Sequence, residues 1–216
     1  MIAMILAAGR GERLRPLTDK VPKALVEVGG ESLLERHLRS VKAAGVDTVV
    51  INLGWLGDQI VERAGSGSEF GLNVIYSPEG DNILETGGGI HRALPMLGDD
   101  PFLVVNADIY TDMPLPVTPL PADDVGHLVL VPTPEHKPSG DFDLIDGRIR
   151  NGDMPEFTFG GVAVYRPEFF ANCVAGRFSV VPMMRTAADA GQLSGSVYAG
   201  LWRDVGTPDR LKELDS

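Results

Sequence analysis

The hydrophobic pattern of the first half alternates between strand-like and helix-like segments. Short apolar runs at residues 2–6, 48–52, 72–77 and 102–106 are typical of buried strands. Between them, amphipathic stretches at 33–44, 55–64 and 89–97 have helical spacing, and Ser32 with Glu35 predicts a capping box at the start of the first helix. This alternation predicts a parallel sheet covered by helices on both faces, with ligands bound beyond the carboxyl ends of its strands.

The second half has a different pattern. Residues 113–121 contain four prolines and predict a loop or an extended crossover. Shorter strand-like pieces follow at 127–131, 143–145 and 157–165. Two short helices are predicted near Pro167 and Val181, before a final strand, turn and helix at 197–214. We expect these pieces to form an antiparallel or mixed extension of the sheet rather than a second domain.

Composition narrows the functional classes. The 216 residues carry a net charge of −11, which argues against a general nucleic-acid binder. No apolar run approaches the roughly 18 residues of a membrane span. A single cysteine, Cys173, and the absence of a basic leader predict a cytoplasmic protein. An acidic protein that handles phosphates needs local backbone donors, a few placed cations or a metal.

The strongest motif follows the first strand. Gly9-x-Gly11 precedes Arg13, Pro16-Leu17-Thr18 and Pro22-Lys23. A dinucleotide-binding turn would require a third glycine where Leu14 stands, and a Walker loop would require Gly-Lys-Ser/Thr. A long loop in a compact domain is usually functional, and its glycines let backbone N–H groups approach an anion. Arg13 and Lys23 would grip phosphate oxygens; the alternative is a surface loop with solvated arginines.

These residues resemble the signature of the sugar-1-phosphate nucleotidyltransferases, with Ala24 in place of the usual second proline. The resemblance covers almost the whole chain. It implies an α/β, Rossmann-like three-layer fold with a mostly parallel mixed sheet flanked by helices. Residues 1–216 would form one domain, with a nucleotide-binding half at 1–112 and a sugar-binding half at 113–216. Its partners would be a nucleoside triphosphate and a sugar 1-phosphate, with no nucleic acid, membrane or obligatory protein partner.

The resemblance also assigns roles to residues. Arg13, Lys23 and Asp108 would be catalytic. The sugar would contact Asn106, Gly140, Asp141, Asp153 and Gly161, although a simple bulge at Gly160-Gly161 is the alternative explanation of that pair. The nucleotide would contact residues of the first loop and of two later turns, namely Ala8, Gly9, Gly11, Glu12, Arg13, Lys23, Glu79, Gly80, Glu85, Thr86 and Gly87. Glu85 is our hypothesis for pairing with the polar edge of a pyrimidine, whereas a flexible loop is the alternative for residues 84–89.

Two aspartates from distant segments are candidate metal ligands. Asp108 follows an apolar strand and Asp204 precedes the last predicted helix. Each could instead cap a turn. Magnesium is often held by one or two carboxylates together with substrate phosphates, and both aspartates match the family's metal positions. We therefore expect Mg²⁺ as the cofactor.

Three short segments bear on the identity of the sugar. Residues 76–80, 84–89 and 140–142 are most similar to the N-acetylmuramate-1-phosphate uridylyltransferases of bacterial cell-wall recycling, which use UTP. The alternative is a mannose-1-phosphate guanylyltransferase or another hexose-1-phosphate nucleotidyltransferase. A non-catalytic nucleotide-sugar sensor is disfavoured because the loop cations and both aspartates are retained. A muramate carries a lactyl carboxylate, for which the candidate cations are Lys137, Arg148, Arg150 and Arg185.

Overall fold

The computed structural model describes residues 1–80 and 82–214 of the chain. In chain order, its strands are β1 Ala3–Leu6, β2 Glu27–Val28, β3 Glu31–Ser32, β4 Thr48–Leu53, β5 Asn73–Pro78, β6 Phe102–Asn106, β7 Ile109–Thr111, β8 Gly126–Pro132, β9 Asp143–Ile145, β10 Arg148–Arg150, β11 Phe157–Tyr165, β12 Leu193–Val197 and β13 Trp202–Asp204. Its α-helices are α1 Leu33–Ala43, α2 Gly57–Ala64, α3 Glu85–Leu97, α4 Val181–Asp189 and α5 Pro208–Leu214.

Nine of these strands form one mixed sheet in the order β5-β4-β1-β6-β11-β8-β12-β10-β9. The first four strands in this order are mutually parallel. β11 runs antiparallel to both of its neighbours, while β12 pairs with β8 in parallel. The predicted mixed extension is therefore observed, and strands from both halves of the chain belong to the same sheet.

Both faces of the central strands are buried, as their continuous apolar sequences predict. In β1, Ala3 and Ile5 pack in the core beneath α1 and α2, whereas Met4 packs in the core beneath α3 and α4. The capping box of α1 is present, since the Ser32 hydroxyl accepts from the Glu35 N–H and the Glu35 carboxylate accepts from the Ser32 N–H. The three-layer arrangement confirms the predicted fold class.

Several elements differ from the prediction. α3 begins at Glu85 rather than near residue 89, because its glycine triplet is helical. β7, β10 and β12 were not predicted as strands, since β7 and β10 have three residues each and β12 has the mostly small and polar sequence Leu-Ser-Gly-Ser-Val. Among the described residues, no helix has the length and apolar character needed to cross a membrane.

The parallel strands place four chain segments at one edge of the sheet. The four strands end at Leu6 (β1), Leu53 (β4), Pro78 (β5) and Asn106 (β6). Each pair of neighbours is parallel and pairs without a register shift. The residues that follow each strand therefore converge beyond its carboxyl end.

Candidate active site

A first cleft, of about 190 Å³, opens where these segments converge, and we call it cleft 1. Six of the predicted nucleotide-binding residues line it, namely Ala8, Gly9, Lys23, Glu79, Glu85 and Thr86. Gly11, Glu12, Arg13, Gly80 and Gly87 lie outside this lining. Cleft 1 also contains Asn106 and Asp108, which connect it to a second cleft described below.

The glycine-containing loop after β1 is held by contacts to the neighbouring strand. A Cβ on Gly54 would lie 2.5 Å from the Ala8 carbonyl oxygen, so the chain after β4 approaches this loop closely. The Trp55 indole N–H donates to the Thr18 carbonyl at 2.9 Å, and the Thr18 hydroxyl donates to the Gly11 carbonyl at 2.8 Å. Gly11 has φ 62°, a conformation that favours glycine. The loop is therefore ordered by specific hydrogen bonds, unlike a solvated surface loop.

Arg13 extends away from cleft 1 toward the second predicted metal aspartate. A Cβ on Gly206 would lie 3.2 Å from Arg13 Nη2 and 2.9 Å from Asp204 Oδ2. The guanidinium group thus lies beside the turn that follows β13. Lys23 takes the other direction, because its side chain lines cleft 1 and its Nζ lies 2.5 Å from Asp108 Oδ2.

The two aspartates are brought together by the β7–β13 ribbon. Ile109 is opposite Asp204 in this antiparallel pair, and the Val205 N–H donates to the Asp108 carbonyl at 2.9 Å. Both carboxylates line the second cleft. Residues almost a hundred positions apart in sequence are therefore neighbours, as the metal hypothesis requires.

Each of these carboxylates is paired with a cation. Arg210 of α5 forms an ion pair with Asp204, whose other oxygen lies 3.9 Å from His136 Nε2. Lys23 pairs with Asp108. These contacts offset the repulsion between two adjacent carboxylates. Neither Arg210 nor His136 was predicted from the sequence, because no motif links them to the aspartates.

The donor set suits a hard cation. Carboxylate oxygens are the ligands that Mg²⁺ prefers, and it usually keeps waters and substrate phosphates as its other ligands. Within residues 1–80 and 82–214, no cluster of three or more histidine, cysteine or acidic side chains is arranged to hold a metal ion. The arrangement therefore fits Mg²⁺ bound by two carboxylates and completed by substrate, rather than a metal enclosed entirely by protein.

The second cleft, of about 160 Å³, is called cleft 2 and adjoins cleft 1 at Asn106 and Asp108. Of the predicted sugar-binding residues, Asn106 and Gly161 line it. Gly161 has φ 77°, and the register between β11 and β8 shifts between Phe159 and Val162. The Gly160-Gly161 pair therefore forms a bulge, with a Cβ on Gly161 only 3.1 Å from the Asn106 side chain.

The other predicted sugar residues are not among those lining cleft 2, and two of them, Gly140 and Asp141, have structural contacts. Gly140 packs so closely that a Cβ would lie 2.3 Å from the Phe157 carbonyl oxygen. The Asp141 carboxylate accepts from the Phe159 N–H at 2.9 Å and lies 3.3 Å from Lys137 Nζ. Asp153 is exposed. A single sequence motif such as Gly140-Asp141 does not distinguish a binding turn from a turn that packs on a strand.

Glu79 is buried, and both of its carboxylate oxygens accept hydrogen bonds within the protein. The Asn52 amide donates to one at 2.7 Å, and the Leu84 N–H donates to the other at 2.6 Å. Asn52 in turn accepts from the Ala7 N–H at 2.6 Å. This network joins the end of β4 to the segments after β1 and β5. Asn52 was missed because an asparagine near the end of an apolar strand gives no specific signal.

The glycine triplet that opens α3 allows close packing. A Cβ on Gly87 would lie 2.5 Å from the Phe178 ring, and one on Gly88 would lie 2.2 Å from the Gly176 carbonyl oxygen. The Val180 N–H donates to the Thr86 hydroxyl at 3.0 Å. Direct contact of these glycines with a nucleotide remains a prediction. The close neighbours of Gly87 and Gly88 lie in residues 176–180, whereas a Cβ on Gly89 would lie 2.6 Å from Glu79 Oε1 and 2.9 Å from the Asn52 amide nitrogen.

His37 is a buried neutral group under this site. Burial lowers the pKa of His37 to about 4, although a hydrogen bond with the Ile109 backbone and the nearby Asp108 carboxylate act in the opposite direction. The imidazole is therefore uncharged near neutral pH and supports the segment that carries Asp108 without adding charge to it.

Comparison with known proteins shows the family of this chain. The nucleotidyl transferase family model matches residues 2–144. The chain belongs to the nucleotidyl transferase family. Along its whole length it is 48% identical to the N-acetylmuramate alpha-1-phosphate uridylyltransferase of Neisseria meningitidis serogroup B, covering 97% of that protein. It is 36% identical to the Caulobacter vibrioides enzyme of the same name, with 96% of this chain and 92% of that protein covered.

More distant relatives include other sugar-1-phosphate nucleotidyltransferases. The Mycobacterium tuberculosis mannose-1-phosphate guanylyltransferase is 28% identical, with 96% of this chain and 61% of that protein aligned. A solved Bacillus anthracis structure, described as a glucose-1-phosphate thymidylyltransferase with sucrose, has a TM-score of 0.86 at 19% identity, covering 100% of this chain and 94% of that one. The family and fold predicted from the loop motif are therefore confirmed.

Proposed function

We propose that this chain transfers UMP from UTP to N-acetylmuramate 1-phosphate and releases pyrophosphate. The observation that carries this proposal is the 48% identity along the whole chain to an enzyme with that name. A mannose-1-phosphate guanylyltransferase is only 28% identical and much longer than this chain. A place in cytoplasmic cell-wall recycling is part of the same proposal.

The reaction is an in-line displacement. A phosphate oxygen of the sugar 1-phosphate bonds to the α-phosphorus of UTP. The bond from that phosphorus to the oxygen bridging the β-phosphate breaks, and its electron pair leaves with pyrophosphate. The attacking oxygen is already anionic, so no base has to remove a proton. Catalysis then consists of positioning the two substrates and neutralising charge on the α-phosphate and the leaving group.

The cations and backbone donors of the first loop have distinct roles in this scheme. Lys23 lies at the junction of clefts 1 and 2, where its ammonium group neutralises charge on the α-phosphate. The backbone around Ala8, Gly9 and Gly11 forms the phosphate cradle together with Glu12. Arg13, beside the turn after Asp204, grips the triphosphate from the opposite side.

Asp108 and Asp204 are the proposed ligands of Mg²⁺. When bound there, the ion supplies Lewis-acid stabilisation of charge on the phosphates. The support for this role is the juxtaposition of both carboxylates in cleft 2 by the β7–β13 ribbon. Lys23 and Arg210 keep the two carboxylates oriented.

The base pocket is proposed in the part of cleft 1 bounded by Glu79, Glu85 and Thr86, with Gly80 and Gly87 adjacent. Glu85 has φ 61°, unusual for a residue other than glycine, and its carboxylate pairs with Arg177 at 2.8 Å. The backbone conformation of Glu85 and its ion pair with Arg177 fix the orientation of this side chain, which we propose hydrogen-bonds to the polar edge of the base. Glu79 acts indirectly, because its oxygens are already bonded to Asn52 and Leu84.

The sugar is proposed to occupy cleft 2, above the bulge at Gly161 and against Asn106. Gly140, Asp141 and Asp153 remain sugar-binding proposals. The Asp141 carboxylate contacts the lining of cleft 2 through Lys137 and the Phe159 N–H.

The test is pyrophosphate release with magnesium for UTP, GTP, dTTP and CTP, each paired with N-acetylmuramate, mannose and glucose 1-phosphates. A clear preference for UTP with the muramate supports the proposal. A preference for GTP with mannose 1-phosphate refutes the base and sugar assignments while retaining the reaction class. Absence of pyrophosphate release with every pair would favour the nucleotide-sugar sensor.

A further inference from the structure

One part of the lining of cleft 2 comes from the loop between β8 and β9, which contributes His136 and Lys137, while β11 contributes Thr158, Phe159 and Gly161. His136 Nε2 lies 3.9 Å from the Asp204 carboxylate, and Lys137 is the lysine of this lining. The chain as a whole has a net charge of −11. The ammonium group of Lys137 is therefore a local positive charge on an acidic protein, and it would attract an anionic substituent of the sugar.

The other three candidate cations have contacts elsewhere and are not among the residues lining cleft 2. Arg148 forms an ion pair with the buried Asp124. Arg185 lies 5.2 Å above the Phe142 ring and 3.3 Å from the Asn151 side-chain oxygen. Arg150 is exposed on β10, near the end of α4. Of the four, only Lys137 lines the sugar cleft.

Lys137 is held in place while keeping donors for a ligand. Its Nζ contacts the Asp141 carboxylate at 3.3 Å, and that same carboxylate oxygen accepts from the Phe159 N–H at 2.9 Å. The Phe159 N–H thus fixes Asp141, which in turn orients the lysine. An ammonium group has three N–H donors, so after this contact two N–H groups can still donate hydrogen bonds to a ligand carboxylate.

We propose that Lys137 binds the carboxylate of an acidic substituent on the sugar, and that Asp141 positions it. This inference rests on the proposed function, because N-acetylmuramate is N-acetylglucosamine with an added lactyl group, joined through an ether, that carries a carboxylate. Lys137 then determines specificity: it recognises the group that distinguishes these two sugars, while Lys23 and the aspartates act on the phosphates common to both.

The experiment compares kcat/KM for N-acetylmuramate 1-phosphate and N-acetylglucosamine 1-phosphate, with UTP, in the full-length chain. Lys137→Met should lower the muramate-to-glucosamine ratio by about 10- to 100-fold, the effect of losing a hydrogen bond to a charged group. Lys137→Arg retains the charge and should keep most of the ratio. Arg185→Met is the matched control and should leave the ratio unchanged. Thermal melting of each variant reports whether it is folded.

The outcomes separate this inference from the proposed function. If the wild-type chain turns over the muramate but Lys137→Met leaves the ratio unchanged, the inference is wrong and the proposed function stands. If Lys137→Met lowers kcat/KM equally for both sugars, Lys137 binds the shared phosphate and the inference is also wrong. A wild-type chain that does not use the muramate refutes the proposed function itself.

Discussion

The ammonium group of Lys23 lies 2.5 Å from the Asp108 carboxylate, although 85 residues separate the two in sequence. The lysine side chain is only 13% exposed, and Asp108 lines both clefts. The pair therefore lies where, under the proposed function, a nucleotide in cleft 1 would meet a sugar phosphate in cleft 2. It connects the loop after β1 to the proposed metal site, so that a change in either side chain should affect the same step.

Replacing Lys23 by methionine should lower kcat by about 10²- to 10³-fold, because a preorganised charge on the transferring phosphate is lost. Steady-state pyrophosphate release measures this effect. Lys20→Met is the control, since Lys20 is a nearby exposed lysine outside both clefts. A Lys23→Met enzyme with wild-type kcat would exclude Lys23 from the chemical step.

Asp108→Asn and Asp204→Asn should each lower kcat by about 10²-fold or more at a fixed magnesium concentration. An amide is a weaker ligand for Mg²⁺, and the charge that offsets Lys23 or Arg210 is removed. Magnesium titrations of the rate, with circular dichroism to confirm folding, make the measurement. Asp99→Asn, at an exposed position, is the control. Near-normal rates in both variants would contradict the metal assignment.

Gly88 and Gly9 should respond differently to alanine. Gly88→Ala should reduce the free energy of unfolding by about 1–3 kcal/mol, because its Cβ would lie 2.2 Å from the Gly176 carbonyl oxygen. Apart from its two chain neighbours, no residue that the structure describes has an atom within 4 Å of the position that a Cβ on Gly9 would take. Gly9→Ala should therefore change stability by less than about 0.5 kcal/mol. It should instead raise KM for UTP, if a phosphate approaches its backbone.

Urea unfolding and steady-state kinetics of both glycine variants test this contrast. Equal stability of the Gly88→Ala protein and the wild type would show that residues 176–180 can move away from α3. In that case, the triplet would not be required for packing.

His37 should make stability depend on pH. Its pKa is about 4 in the folded chain, below the value of 6.5 expected after unfolding. Above pH 6.5 the imidazole is neutral in both states and adds no pH dependence. As pH falls from 6.5 toward 4, only the unfolded state gains the proton. The free energy of unfolding should then decrease by about 3 kcal/mol in total through this group.

A His37→Leu variant removes this titration and leaves the other groups in common. Urea unfolding of both proteins at pH 7, 6, 5 and 4 gives the comparison. The wild type should lose stability more steeply than the variant below pH 6.5. Parallel curves would show that the pKa of His37 is the same in the folded and unfolded chain.

The sequence alone was sufficient for the features that depend on neighbouring residues. The sequence correctly predicted four buried strands, β1, β4, β5 and β6, because each is a continuous apolar run. It also correctly predicted the capping box at Ser32, because the two residues that form it are only three positions apart. The loop motif identified the family for a similar reason. Its glycines, Arg13 and Lys23 lie within fifteen residues, so the pattern is specific without any knowledge of the fold.

The tertiary structure decided everything that depends on which distant segments meet. The β7–β13 pairing places Asp204 beside Asp108 and brings Arg210 and His136 with it, but three-residue strands have no detectable period. The packing of residues 176–180 explains Gly87 and Gly88, and the close approach of Glu79 and Asn52 explains Gly89. The position of one loop places Lys137 in the lining of cleft 2, which none of the three candidate arginines joins. Such contacts depend on which strands pair, in which register, and on where the side chains of distant residues point. A pattern of neighbouring residues along the chain does not contain this information.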